Sequence, residues 1–341
     1  MGRIGVGIIG LGNSGWFYHA EGSLEKSESF ELVAVAGGHG PRTRAAAERF
    51  SATGYEEWES LLDDSRVQVV VVAAPSYLHH EMGVASLRAG KHVVIEKPIA
   101  LTTSDGLDLV NVAREERRVL TVFQNRRWEP SYVLIRELVA SGEVGDVWRV
   151  EERRIHNGPY RVASPNHAHD GDQVAQWTRR RELGGGVTYM VTPHLIDHQL
   201  GLLGYAPLTI AARMHTFELD SAEHYVDLQM AYPAGLVSRI EVLRDPVVDL
   251  PKWTVYGTKG TIYVPSFTRL ELRVEGREAV IYEDLVEVRG SSRFYEQLGR
   301  AILDGGPPPV DPREAVAGVR VMELAHQSAL VNGQPLDFSW P

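Results

Sequence analysis

The stretch "IGVGIIGLGNSG", residues 4–15, decides how the chain is read. It opens as a short β-rich run and then places glycines at 10, 12 and 15. Gly10-x-Gly12-x-x-Gly15 has dinucleotide-binding spacing when a strand precedes it and a helix follows, and "WFYHAEGSLEK" (16–26) is helix-compatible. Glycine permits the tight turn, lets the backbone approach a pyrophosphate and lets helix pack on strand, while the helix N-terminus faces the phosphates. Asn13 and Ser14 lie in that loop and are assigned to the same nucleotide. A tight turn in a domain of this shape that binds no nucleotide is the alternative.

The segments that follow support the first reading. "FELVAVAGG", "VQVVVVAAP", "KHVVIEKP" and "RVLTVFQN" are further β-rich runs, and between them lie helix-compatible stretches at 41–51, in "HHEMGVASLRAG" and in "TSDGLDLVNVAREE". Apolar strands that alternate with helices predict a parallel sheet covered on both faces. After Asn125 the texture changes. "SYVLIRELVASGEVG" reads as a glycine-capped helix. "DVWRVEERRIH", "LTIAARMHTFE", "HYVDLQMAY", "LVSRIEVLR", "KWTVYGTKGTIYV" and "RLELRVEG" alternate in the antiparallel manner. The expected fold is α/β: a Rossmann domain over 1–124, then an α/β domain over 125–341 with a large, open, mostly antiparallel sheet. "DGGPPPVDP" (304–312) reads as a rigid surface connector. "REAVAGVRVMELAHQSALVNG" reads as a last helix with a glycine stop.

The end of the second strand bears on the choice of nucleotide. NAD-binding domains usually carry an acid there for the ribose 2′-hydroxyl. Here the chain reads "VAVAGGHGPRTR", and no acid occurs between Glu31 and Glu48. Gly37 or Gly38 stands in its place, followed by His39, Arg42 and Arg44. Without a carboxylate a 2′-phosphate is not repelled, and the basic groups suit one, so NADP is expected over NAD. Solvated residues at a helix start are the alternative for both arginines.

Ligands of a parallel sheet collect beyond the C-terminal ends of its strands. Glu96 and Lys97 lie at such an end, so their charges are expected to project into the cofactor cleft. Pro98 stops the strand and fixes the turn, through a trans or a cis peptide bond. A lysine there contacts a substrate hydroxyl and lowers that oxygen's pKa; a salt-bridged strand end is the alternative. Ala74, Pro75, Ser76 and His79 follow the third of these strands and are assigned to the nucleotide path. Gln124, Asn125 and Arg126 end the fifth, where a nicotinamide amide would lie.

Composition narrows the classes. The chain has 341 residues, 43% hydrophobic and 23% charged, with a net charge of -10. No Lys/Arg block stands out, which argues against a nucleic-acid or anionic-membrane partner. Cysteine is absent, which excludes disulfides and thiolate metal sites and suits a cytoplasmic protein. The longest apolar run, "VQVVVVAAP", is too short to span a bilayer. "NHAHDGD" (166–172), with His156 upstream, resembles a metal cluster in composition only; it reads as a polar substrate loop, and no metal is expected.

Four segments together carry a resemblance: "GIIGLGNSG", "APSYLHHEMGVASLRAGKHVVIEKPIALT", "VFQNRRWEPSYVLIRELVASGEVGDV" and "ELGGGVTYMVTPHLIDHQLGLLG". Through nearly its whole length the chain resembles the glucose–fructose oxidoreductase / inositol dehydrogenase / rhizopine-catabolism (Gfo/Idh/MocA) family, and "QNRRW" resembles its NADP-linked scyllo-inositol dehydrogenase branch. The resemblance implies a Rossmann domain followed by a domain whose open sheet forms a homodimer or homotetramer. It implies hydride transfer between nicotinamide C4 and a secondary alcohol or ketone of a sugar or cyclitol. It carries Lys97, His194 and Asp197 over as catalytic residues. Arg127, His169 and His198 are the accompanying substrate-binding candidates, and Trp177 is a candidate to pack against the nicotinamide or the substrate. The chemistry agrees, because a histidine has a pKa suited to taking a hydroxyl proton and a nearby cation stabilises the alkoxide.

One departure stands out. The family commonly has an acid four residues before the histidine and a small residue two before it; here these are Met190 and Thr192. On a continuous helix Met190, His194, Asp197 and His198 share a face, whereas Thr192 as a cap would start a new helix at Pro193. Methionine cannot exchange a proton. Two further readings therefore stay open: a redox-neutral NAD-dependent glycosidase on the same scaffold, and a non-catalytic nucleotide-binding regulatory protein.

Overall fold

The computed structural model of the chain describes residues 2–38, 40–156, 177–216, 222–244, 250–285 and 292–340. These fall into two compact units. The first holds 2–125 together with 292–319, and the second holds the described residues of 126–285 together with 320–340. The split at Asn125 lies one residue from the expected boundary. The C-terminal segment departs from expectation, because 292–319 returns to the first unit instead of remaining in the second.

The first unit is built on a six-stranded parallel sheet. Its strands are β1 (Ile4–Ile9), β2 (Phe30–Ala36), β3 (Thr53–Tyr55), β4 (Val69–Val72), β5 (His92–Ile95) and β6 (Leu120–Val122), in the order β3-β2-β1-β4-β5-β6. β1, β4 and all but the first residue of β5 are buried along their whole length, as expected of parallel strands covered on both faces. The five runs read as strands all form. β3 has only three residues and no apolar run, so periodicity gave no sign of it. Strand order reverses at the β1–β4 pair, which puts the switch point, and hence a ligand crevice, at the C-terminal ends of these two strands. The proline-rich connector is not wholly a surface feature. Val310 is buried, and its carbonyl accepts a hydrogen bond from the Thr121 hydroxyl of β6 at 2.9 Å.

The second unit carries a nine-stranded sheet. Its strands are β7 (Val147–His156), β8 (Thr209–His215), β9 (Tyr225–Ala231), β10 (Val237–Arg244), β11 (Trp253–Gly257), β12 (Gly260–Ser266), β13 (Arg269–Val274), β14 (Val280–Tyr282) and β15 (Leu336–Asp337). The order is β14-β13-β12-β11-β7-β10-β9-β8-β15. Every pair is antiparallel except β10–β7, where Val237 lies beside Arg149 in parallel register. The Pro130–Ala140 helix starts on its proline, whose missing N–H costs nothing at that position. It packs Tyr132, Ile135 and Leu138 against Val150, Trp253, Val255, Ile262 and Leu270 of the sheet.

Among the described residues, no helix is long and apolar enough to cross a membrane.

Candidate active site

In the first unit the glycine loop has the geometry a dinucleotide needs. Gly10 takes φ +95°, and a side chain there would lie 2.5 Å from the Ala73 carbonyl, so only glycine lets the end of β1 pass β4. A Cβ at Gly15 would lie 2.0 Å from the Gly10 carbonyl oxygen, whereas one at Gly12 would meet nothing within 4 Å. A side chain at Gly12 would therefore meet only open space. Ser14–Glu21 follows as a wide helical segment, with the Gly22 N–H reaching back five residues to the Phe17 carbonyl. Asn13 caps it through no side-chain bond.

The end of β2 carries no carboxylate. Gly37 accepts a hydrogen bond from the Thr43 hydroxyl at 3.1 Å. Arg42 donates from Nε to the Leu11 carbonyl inside the glycine loop, and its guanidinium lies 5.6 Å from the Trp16 ring. It is thus tied to the loop that would hold the pyrophosphate. His39 lies outside the described residues.

The Glu-Lys-Pro turn departs from expectation. Lys97 is half-buried and its bond to Pro98 is cis. Glu96 does not project into a cleft; it is 6% exposed and turned into the unit. One carboxylate oxygen lies 3.2 Å from His19 Nε2, and the other accepts the Lys97 N–H at 3.1 Å. Burial pushes the Glu96 carboxyl up, but the His19 hydrogen bond and charge, then the Lys97 charge and N–H, hold it below its ordinary value. His19 in turn bonds the Tyr295 hydroxyl at 2.7 Å. Removing His19 or the Lys97 N–H would leave the buried Glu96 carboxylate uncompensated.

His79 is also fully occupied. Its Nδ1 lies 2.7 Å from the Pro98 carbonyl and its Nε2 2.9 Å from the Ala74 carbonyl, and the ring is buried. Both nitrogens face protein rather than a nucleotide. Ser76 is buried in the turn that leads to His79, and Gln124 is buried at the end of β6, with Asn125 opening the next turn.

In the second unit "GGGVTYMVTPHLIDH" forms two helices rather than one. Gly186, at φ +86°, starts the Val187–Met190 helix, and a Cβ there would strike the Glu223 carboxylate. That carboxylate accepts the Thr188 N–H at 2.9 Å and so serves as the helix cap. Val191 breaks the helix, and the next runs from Thr192 to Leu203. The Thr192 hydroxyl does not cap it; it donates back to the Val187 carbonyl at 2.9 Å. The break means that Met190 and His194 belong to different helices. His194 stands in the first turn of the second, 8% exposed.

Asp197 and Arg127 find each other. Arg127 donates from Nε and Nη2 to the two Asp197 oxygens at 2.8 and 2.6 Å. A residue carried over as catalytic and one assigned to substrate are thus joined in one ion pair. His198 is 2% exposed, with Nδ1 3.0 Å from Glu152 and Nε2 3.0 Å from the Arg126 carbonyl. It stacks on Tyr132 at 4.2 Å. This corrects the assignment of His198 to substrate, because both its nitrogens are engaged in the interior. Trp177 is half-buried at the start of a short turn. His169 and the "NHAHDGD" stretch lie outside the described residues. Among the described residues, no group of three or more His, Asp or Glu is placed to hold a metal.

Residues 4–124 match the oxidoreductase family with an NAD-binding Rossmann fold, and residues 132–263 match the GFO/IDH/MocA C-terminal domain. The chain belongs to the GFO/IDH/MocA oxidoreductase family. It is 25% identical to the scyllo-inositol 2-dehydrogenase (NADP(+)) of Bacillus subtilis over 361 residues, covering 96% of this chain and 94% of that one. Among solved structures, an NAD-binding protein from Listeria innocua superposes with a TM-score of 0.85 at 23% identity, over 98% of this chain and 97% of the other. The WlbA dehydrogenase from Bordetella pertussis, in complex with NADH and UDP-GlcNAcA, does so with 0.85 at 21%, over the whole of both chains. The protein is an NAD-binding oxidoreductase acting on CH–OH groups.

His19, Tyr295, Glu152 and Glu223 were not singled out from the sequence. His19 sits unremarked in a helix-compatible run. Nothing in the chain's spacing ties position 19 to 96 or 295, or 152 to 198, because these pairs meet only through the fold.

Proposed function

We propose that the protein transfers a hydride between NADP and a secondary alcohol or ketone of a cyclitol or sugar, with Lys97 and His194 as the catalytic side chains. The observation that carries this is the Lys97 turn. A half-buried cation stands beyond β5 of a Rossmann sheet, with its backbone N–H held by a buried carboxylate. The full-length likeness to an enzyme named for scyllo-inositol and NADP(+) supports the substrate class and the nucleotide. The missing acid at Gly37 and the placement of Arg42 beside the glycine loop agree with a 2′-phosphate.

When bound, the nicotinamide supplies the hydride acceptor. In the oxidising direction the C–H pair leaves the substrate carbon as hydride. Lys97 holds the oxygen's developing negative charge, and His194 takes the hydroxyl proton. Met190 cannot take a proton, so His194 carries that step without the acid usual four residues earlier. The open face of the second sheet is the surface we assign to a second copy of the chain.

A spectrophotometric screen of polyols, sugars and keto-sugars, with NAD and NADP in parallel, tests the proposal. Turnover with a cyclitol or sugar, faster with NADP, is expected. Lys97→Ala should still bind the nucleotide and lose about 100-fold in kcat, the scale of a lost acid–base or electrostatic contribution. Unchanged turnover removes Lys97 from the mechanism. Release of a sugar from a glycoside without net nucleotide change points instead to the glycosidase.

A further inference from the structure

We propose that two buried histidines, His19 and His79, are positioning residues that clamp the Lys97 turn from both ends. The inference rests on the reading of Lys97 as the cation that meets substrate. On one side, His19 Nε2 meets the Glu96 carboxylate, whose other oxygen accepts the Lys97 N–H. On the other, His79 bonds the Pro98 carbonyl, one residue beyond Lys97. Each histidine is anchored in turn. The Tyr295 hydroxyl, on the Ser292–Asp304 helix, fixes His19, and the Ala74 carbonyl beyond β4 fixes His79.

The chemistry of His79 makes this more than packing. Both of its partners are carbonyl oxygens, which only accept. A neutral imidazole has one N–H and bonds one of them, so it must be an imidazolium to bond both. Burial holds the His79 pKa below its ordinary value, against the two carbonyls and Glu96, which raise it, and with Lys97 lowering it further, so the neutral ring donates to one carbonyl and rests against the other. His79, Glu96 and Lys97 therefore share one small electrostatic balance. His19 lies in the wide helical segment that leaves the glycine loop, so the same clamp links that loop to the Lys97 turn. A long side chain is aimed by its backbone, and a displacement of about 1 Å at a reacting group costs on the order of 100-fold in rate.

The test reads Lys97 directly. The chain has five lysines, so reductive methylation with labelled formaldehyde gives a simple carbon spectrum, and Lys97→Arg assigns the Lys97 signal. In the nucleotide-free protein, His79→Gln, which keeps an N–H donor but not the ring's geometry, and His19→Gln should each displace the Lys97 signal. Each should also shift its titration by ~0.5 unit or more, the scale of a changed neighbouring charge or hydrogen bond. The other lysines should keep their signals. A loss of stability alone would not move one lysine in a folded protein. With substrate, kcat should fall about 10- to 100-fold while NADP binding changes little. If a histidine variant does not fold, Tyr295→Phe, which removes only the hydroxyl from His19, should still displace the Lys97 signal. A Lys97 titration identical to wild type in the folded variants overturns the proposal. That measurement needs no turnover, so failure to find a substrate would sink the proposed function and leave this result standing.

Discussion

Arg127 grips Asp197 with two parallel hydrogen bonds, and Arg127 Nη2 also reaches the Tyr205 hydroxyl at 3.1 Å. The Asp197 side chain is 4% exposed and that of Arg127 is 17% exposed. Such a pair is costly to break from one side, because the remaining charge stays buried. Arg127→Ala should therefore lose on the order of 3 kcal/mol in urea unfolding. Adding Asp197→Asn should restore part of that loss, since it removes the stranded charge. Folded Asp197→Asn should also keep more activity than His194→Ala, because the carboxylate's visible work is to hold Arg127. Equal losses of kcat in the two would return Asp197 to the proton chemistry.

A second prediction concerns pH. Burial drives His198 down to about 3 and raises Glu152 well above its ordinary 4.5, with Glu129 adding to the rise. His198 Nε2 faces the Arg126 carbonyl and so must carry hydrogen, which leaves Nδ1 to accept. A protonated Glu152 then donates to it at 3.0 Å, making a neutral pair. The two groups act on stability with opposite signs. His198 is depressed, so its contribution is present above about 6.5 and is lost as pH falls towards 3. Glu152 is raised, so its contribution is full below 4.5 and is lost as pH rises through its folded value. Glu152→Gln keeps a donor for Nδ1 and cannot ionise. It should match wild type in urea midpoint at pH ~5 and exceed it at pH ~8. A constant difference at both pH values would mean that Glu152 is ionised throughout.

The first unit was largely legible because its signals are local. Glycine spacing and buried apolar runs are written within ten-residue windows, and Gly10 and Gly15 prove to be steric requirements. The direction of Glu96 was not legible. Position at a strand end places the residue, but only the neighbours His19 and Lys97 decide which way a carboxylate turns. The same holds for His198: helical spacing put it on a face with His194, and it took Glu152, from β7, to occupy its ring. The helix break at Val191 was half-visible. Pro193 signalled it, but the hydroxyl of Thr192 went backwards to Val187 rather than forwards as a cap. The return of 292–319 to the first unit depends on contacts such as Phe123 with Phe294, which no sequence window contains.

Nucleotide choice gives a third prediction. A Cβ at Gly37 would lie 3.3 Å from the Leu11 and Thr43 side chains, which are able to shift, and Gly37 has no positive φ. Gly37→Asp should therefore fold, and it places a carboxylate at the end of β2. That group bonds a ribose 2′-hydroxyl and repels a 2′-phosphate. The ratio of kcat/KM for NADP over NAD should fall by about 10-fold or more, since one charged contact is typically worth more than 1.4 kcal/mol when lost or opposed. An unchanged ratio would mean that the nucleotide's ribose is read elsewhere.

The last prediction concerns the open face of the second sheet. Across β7, β10 and β9 the side chains form a charge ladder. Arg149 and Arg153 pair with Glu151 at 2.6 and 2.7 Å, Arg153 with Glu241 at 3.0 Å, and Arg239 with both Glu241 and Asp227. Parallel register sets Arg239 beside Glu151 and Glu241 beside Arg153, so signs alternate along and between β7 and β10, whereas Asp227 of β9 lies beside Glu241 and Arg239 bridges the two anions. A surface that alternates in this way is complementary to a copy of itself turned about a twofold axis. Glu241 is the centre, touching Arg153, Arg239 and the Tyr225 hydroxyl. Glu241→Lys puts three cations together and removes the anion that binds them. Because the ladder joins neighbouring strands of the chain itself, the variant's folding is checked by circular dichroism before its mass is measured. Sedimentation velocity should then show wild type as a dimer or tetramer and folded Glu241→Lys as a smaller species. A folded variant with the wild-type mass at both low and high salt would move the interface off this face.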